Sequence, residues 1–125
     1  MSICVLWLDS ENAEIFHVSA AEVTKKTVKL KLVKHSNSHQ QEHHNQAEEK
    51  FFHQITGELE QADEILIFGP GMAKKQFKNH LENHHHKALL DRVVAIEPLD
   101  RVSDNQILAA SRKFFKKYNT FHFSI

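Results

Sequence analysis

Cysteine occurs once in this chain, at Cys4, proline twice and glycine three times. A lone cysteine excludes an intramolecular disulfide framework and a cysteine-based zinc knuckle. So few glycines and prolines exclude a collagen-like or linker-dominated chain. Charge of one sign is also missing, since 16 Lys and Arg balance 16 Asp and Glu. No global field draws the molecule to nucleic acid or to a membrane, so any basic surface is local. The opening apolar run, Ile3 to Leu8, stops at Asp9 and has no basic leader. It is too short for a signal peptide or a bilayer span, and a soluble, cytoplasmic protein without a membrane partner is expected. What is present is core-forming: 41% of the 125 residues are hydrophobic. At this size roughly two-thirds of the unfolded surface is buried on folding, enough for one core and a single domain over residues 1–125. Histidine is the abundant oddity, with 11 copies gathered mainly into His35–His53 and His80–His86.

Continuous apolarity from Ile3 to Leu8 predicts a strand buried on both faces. Asp9-Ser10-Glu11-Asn12 supplies a turn, and Ala13 to Val18 returns as a second strand. Val28, Leu30 and Leu32 alternate with Lys29 and Lys31, predicting a third, half-buried strand with a lysine-bearing outer face. From His35 to Gln46 nothing is apolar, which reads as a polar loop. Asn45 with Glu48 fits a helix start, after which Phe51, Phe52, Ile55 and Leu59 recur at helical spacing. Asp63 to Phe68 is a strand ending at Gly69-Pro70-Gly71, and Ala73, Phe77 and Leu81 mark a second helix. Arg92 to Ile96 is a buried strand broken by Pro98, and Ser103 with Gln106 makes a capping box opening a third helix. The alternating tail Phe121 to Ile125 predicts a short edge strand.

Two short connections followed by helical crossovers imply an antiparallel meander that continues into parallel pairing. The economical arrangement is an α/β domain with a mixed five-stranded sheet. Its order is 3-2-1-4-5, with strand 2 antiparallel and helices on both faces, a ribonuclease H-like topology. Strands 1 and 4 then flank the topological switch point, where open α/β sheets bind ligands. The crevice there is bordered by Asp9, Gly69, Gly71, Lys74 and Lys75. Free amides at a helix start beside two lysines suit a phosphate, while a plain tight turn needs the same glycines and proline. A metal nuclease needs several convergent carboxylates. Asp9 is placed for this, but strand 4 ends in Phe68-Gly69 without an acid, and Glu48, Glu49 and Asp104 offer themselves only from helices.

Lys25, Lys26, Lys29, Lys31 and Lys34 occur with no acid among them. Such a ribbon suits an RNA backbone, and lysines equally protect an exposed edge strand from aggregation. His35 and His39 adjoin the ribbon and extend the candidate RNA contact. The spacing of His35, His39 and His43, and of His80 and His84, suits zinc at i,i+4, yet solvated polar surface explains it too. No metal set and no cofactor is assigned from these residues. Cys4 reads as a small buried hydrophobe, and His17 as a hydrogen-bonded strand residue.

Taken in order, these residues resemble the middle domain of the archaeal and eukaryotic peptide-chain release factor and Pelota family, with its short bacterial relatives described as translational machinery proteins. The stretch Gly69-Pro70-Gly71-Met72-Ala73-Lys74, a helix through Phe77, His80 and Leu81, then Arg92-Val93-Val94, Asp100 and Ser103-Asp104-Asn105-Gln106 carry the likeness. Asp9 and Glu14-Ile15-Phe16 match the opening hairpin. The resemblance implies a ribonuclease H-like domain acting in translation beside the ribosome and its ribosomal or transfer RNA. Release factors carry Gly-Gly-Gln after the third strand. Here the loop Lys34 to His44 has glutamines but no glycine, and the first glycine in the chain is Gly57. The backbone conformations required there become costly without glycine. The expectation is a small non-catalytic ribosome- or RNA-associated protein in release, rescue or stress. Two alternatives stay open: a phosphate-handling hydrolase in the strand 1/strand 4 crevice, and a histidine-based metal binder.

Overall fold

The structure is a computed structural model that describes residues 2–31 and 40–123, with side chains described for 2–31 and 45–119. In chain order the elements are β1 (Ile3–Leu8), β2 (Asn12–Val18), β3 (Val23–Lys29), α1 (Gln40–Leu59), β4 (Glu64–Gly69), α2 (Ala73–Asn83), α3 (Lys87–Leu90), β5 (Val93–Pro98) and α4 (Asp104–Phe123). The five strands form one sheet ordered β3-β2-β1-β4-β5. β2 runs antiparallel to β1 and β3, while β1, β4 and β5 are parallel. The mixed α/β sheet with a central first strand is the one expected from the residue pattern.

β1 is central because its side chains alternate between two apolar layers. Cys4, Leu6 and Leu8 pack with Ile15, Phe51, Ile55, Leu59, Phe77 and Leu81 beneath α1 and α2. Val5 and Trp7 pack with Phe16, Leu66, Phe68, Ile107 and Phe115 beneath α4. Burying a strand on both faces removes the need for polar residues along it, which is why the run reads as unbroken. α4 opens as the capping box predicts. The Gln106 amide donates to the Ser103 hydroxyl at 3.2 Å, and the Ser103 amide donates back to Gln106 Oε1 at 3.0 Å.

Four boundaries differ from the sequence expectation. β3 spans Val23–Lys29 rather than Val28 to Leu32, because the Ser19–Glu22 turn sets Val23 opposite Val18 and Asn12 opposite Lys29. Hairpin register follows from the turn, and the lysine pattern has no say in it. α1 begins at Gln40, within the expected polar loop. Gln and Glu are good helix formers, and a helix that projects past the core needs no apolar stripe there. The tail expected as an edge strand is helical through Phe123, a continuation of α4. Extending a seeded helix adds one hydrogen bond per residue fixed, whereas a new strand requires a free edge to pair with. The short α3 (Lys87–Leu90) was not expected at all; it anchors Leu89 in the core.

Candidate functional site

At the carboxyl ends of β1 and β4 the polar side chains are engaged within the fold. Asp9 Oδ1 accepts from the amides of Glu11 and Asn12 at 2.9 and 2.6 Å, closing the β1–β2 turn. Lys74, buried on the inner stripe of α2, donates to the carbonyl of Gly71 at 2.5 Å. Lys75, one residue on, is exposed. Gly69 is required by close approach, because a Cβ there would stand 2.2 Å from the Leu8 carbonyl oxygen. At Gly71 the same addition would meet open space. Arg101 lies over the Trp7 ring at 5.1 Å, with Asp9 at 3.9 Å and Glu14 at 4.0 Å. Asp9, Gly69, Gly71, Lys74 and Lys75 therefore do gather at one end of the sheet. Asp9 and Lys74 nonetheless spend hydrogen bonds on the turns that bear them. The acids a nuclease would need are divided: Asp104 pairs with Lys25 on the α4 side, whereas Glu48 and Glu49 lie on α1 on the opposite face.

The lysine ribbon divides in the same way. β3 is an edge strand, and its lysines alternate between the faces. Lys25 donates to Asp104 at 2.8 Å, stands 3.2 Å from Glu14 and lies over the Phe16 ring at 5.8 Å. Its hydrogen bond to Asp104, reinforced by Glu14, raises the ammonium above the ordinary lysine value. Lys26 pairs across the other face with Glu58 of α1 at 2.7 Å. Lys29 and Lys31 have no ion pair among the described residues and border shallow grooves beside Lys50 and Gln54 of α1. The expected contacts at Lys34, His35 and His39 lie outside the described residues.

A third arrangement was legible in the sequence only as the i,i+4 pair of His80 and His84. On α2, His80 shares the inner stripe with Ala73, Lys74, Phe77 and Leu81 and is 8% exposed. Its ring lies 5.5 Å from that of Phe52 and is stacked 6.3 Å from Phe77. His84 follows one turn later at 4.3 Å, and the ring of His86 lies 6.4 Å away. Consecutive histidines cannot share one helix face, but the helix ends between them. His85 takes a left-handed φ of 59° and the His86 amide bonds back to the Leu81 carbonyl at 2.9 Å, the closing bond of a Schellman turn. That turn sends His85 outward and returns His86 toward His80. Burial, followed by the charges of His84 and His86, pushes the His80 imidazole down to about 4. The signal was available in the sequence: His80 falls three residues after Phe77 and one before Leu81, inside the apolar stripe. With Glu49, Lys50 and His53 of α1, His80 and His84 line a groove of about 550 Å³.

Cys4 and His17 form a pair that resembles a nucleophile and its base, with Sγ and Nδ1 3.1 Å apart. Burial, assisted by the Glu58 charge, pushes the thiol up to about 12, so it stays protonated rather than becoming a thiolate nucleophile. The pair is structural, as the expectation for each residue had it.

No family model matches this chain, and no curated protein matches its sequence. Solved structures do match its fold. Pelota of Archaeoglobus fulgidus superposes with a TM-score of 0.61 at 15% identity, over 90% of this chain and 31% of that one. The archaeal translation termination factor aRF1 gives 0.58 at 14% identity, over 94% of this chain and 40% of that one. Dom34 of S. cerevisiae, described as a translation termination-like factor involved in RNA quality control pathways, gives 0.60 at 15% identity, over 98% of this chain and 36% of that one. The chain thus spans about a third of the length of these proteins and shares the fold of one part of each. Among the described residues, no helix is long and apolar enough to cross a membrane.

Proposed function

We propose that the chain is a non-catalytic, RNA-contacting module of the translation apparatus that associates with the ribosome, in a release, rescue or stress setting. The observation that carries this reading is the fold. The chain shares the fold of one part of Pelota, Dom34 and aRF1, two of which are described as translation termination or termination-like factors. Support at the level of residues comes from Lys29 and Lys31, two cations at an open sheet edge with no ion pair among the described residues. Cations without a protein partner are the ones able to displace counterions from a phosphate backbone. Lys25 and Lys26 belong to the ion pairs that tie β3 to α4 and α1, and serve as the frame on which the other two stand. Lys34, His35 and His39 continue the proposed contact in sequence. A non-catalytic role fits the absence of Gly-Gly-Gln between Lys34 and His44 and the division of the acids between two faces.

The test is sedimentation with ribosomes across a salt series. Binding at low salt that is lost at high salt is expected. Replacing Lys29 and Lys31 together by Ala should reduce the slope of log affinity against log salt by about 1.4 to 1.8, close to one unit for each phosphate no longer neutralised. Retention of the full slope in the double variant would assign both lysines to edge protection alone. Peptide release from transfer RNA, or magnesium-dependent RNA cleavage, abolished by Asp9→Ala, would overturn the non-catalytic reading.

A further inference from the structure

His80 is more than nine-tenths buried, and its Nε2 has no hydrogen-bond partner among the described residues. An unpaired buried polar atom costs about 1–3 kcal/mol, so a bare imidazole nitrogen in this position asks for a ligand or a compensating role. Aromatic packing against Phe52 and Phe77 explains the ring but leaves the nitrogen unexplained. The surroundings answer the chemistry of that nitrogen. His84 stands one helical turn on, at the i,i+4 spacing that lets two imidazoles reach one metal ion. Across the groove, α1 brings Glu49 Oε1 to 3.7 Å from His84 Nε2. Two donors held at about 2.0–2.1 Å from a tetrahedral zinc ion lie roughly 3.3 Å apart, so this pair is already near the bite of a common ligand.

We propose that His80, His84 and Glu49 bind one divalent transition metal ion of the zinc class between α1 and α2. Among the described residues no three donors are yet posed around a single point. Closure comes from the two solvent-exposed members, His84 at 45% and Glu49 at 61% side-chain exposure, turning toward the fixed His80. Two imidazoles and one carboxylate make the nitrogen and oxygen donor set that zinc favours, with the fourth position left to water. The carboxylate also supplies the negative charge that the groove needs, since Lys50 lines the same wall. His85, thrown outward by its left-handed turn, takes no part. Neither Lys29 nor Lys31 lines this groove, and the test of the site reads metal binding rather than RNA binding.

The experiment titrates the full chain with Zn(II) and Co(II), in a background carrying His35, His39, His43 and His44 all changed to Gln. Tight binding of a single ion is expected, with the strong visible bands of four-coordinate Co(II). His84→Ala and Glu49→Ala should each weaken Zn(II) binding by about tenfold or more, because each removes a direct ligand, while His85→Ala changes it little. Both key substitutions are at exposed positions, so folding is preserved and can be verified by the unchanged circular dichroism of the apo-protein. Binding that survives His84→Ala and Glu49→Ala, that is lost with His85→Ala or in the Gln background alone, or that shows only the weak bands of six-coordinate Co(II), would overturn the proposal.

Discussion

At the carboxyl ends of β1 and β4, Asp9, Lys74 and Arg101 find their partners inside the fold, whereas between α1 and α2 the Nε2 of the buried His80 finds none among the described residues. From sequence the first region is the better candidate, since it lies at the switch point and carries glycines, lysines and an acid. The second reads as polar surface. The structure reverses their standing for one physical reason. A polar group whose bonding capacity is spent on its own turn has little left for a ligand, and an unsatisfied one is available at no further cost. The lysines of β3 and the segment just after it repeat the contrast, with Lys25 and Lys26 committed and Lys29 and Lys31 outside the ion pairs among the described residues.

The switch-point end is most vulnerable at Gly69. If the switch-point end is structural, Gly69→Ala should cost about 3 kcal/mol or more in urea unfolding, because the new methyl meets the Leu8 carbonyl and the paired strands must part. Gly71→Ala, with open space around it, should be close to neutral. Equal costs at the two glycines would mean that the close approach is not what holds this end together.

Next in size is the acid response of the groove. Burial sets the His80 imidazole at about 4 against 6.5 for the free side chain, so the folded state binds fewer protons than the unfolded state between those values. Stability from this group is therefore fully present above about pH 6.5 and is lost progressively as pH falls toward 4. The loss is about 2 kcal/mol, less than the full shift because the His84 and His86 charges that contribute to it are screened by solvent. Unfolding midpoints measured with EDTA present should fall over that window, and His80→Phe should flatten the fall. An identical pH profile in the variant would assign the acid sensitivity to other groups.

Smaller still is the turn that separates the histidines. His85 holds a left-handed conformation that costs an L-residue roughly 1–2 kcal/mol and glycine nothing. His85→Gly should raise stability by about 1 kcal/mol, in the usual manner of a glycine at a helix C-terminus. A loss of stability would show that the His85 side chain contributes more than its backbone strain removes. The smallest effects belong to the edge. Lys25→Ala should cost up to about 1 kcal/mol through its exposed pairs, and Lys29→Ala less than about 0.5 kcal/mol. Reversal of that order would place the committed and uncommitted lysines the wrong way round.

Several features were legible because they rest on local pattern. An apolar run bounded by Asp9 forms the central strand, Ser103 and Gln106 cap α4 as their spacing requires, and short turns followed by helical crossovers leave few sheet orders open. The misplaced boundaries occur where composition is silent, as at α1, or where a short alternation is overruled by hairpin register or by the helix before it, as at β3 and the tail. Gln40 to Asn45 carry no apolar residue to mark a face, and Phe121 and Phe123 alternate over too short a stretch to outweigh the helix behind them.

The candidate site was legible only in its ingredients. The i,i+4 spacing of His80 and His84 is written in the chain, as is the position of His80 within the Phe77–Leu81 stripe. That Glu49 stands across from His84 depends on α1 and α2 lying side by side over one sheet face, more than thirty residues of chain apart. The pairing of Lys25 with Asp104, and of Lys26 with Glu58, likewise follows from which helix covers which face. Periodicity and caps act between near neighbours along the chain, so the residue order by itself determined the five strands, the three long helices and the order of the sheet. Which charges were neutralised, and which nitrogen was left without a partner, was decided by contacts that exist only once the layers have closed.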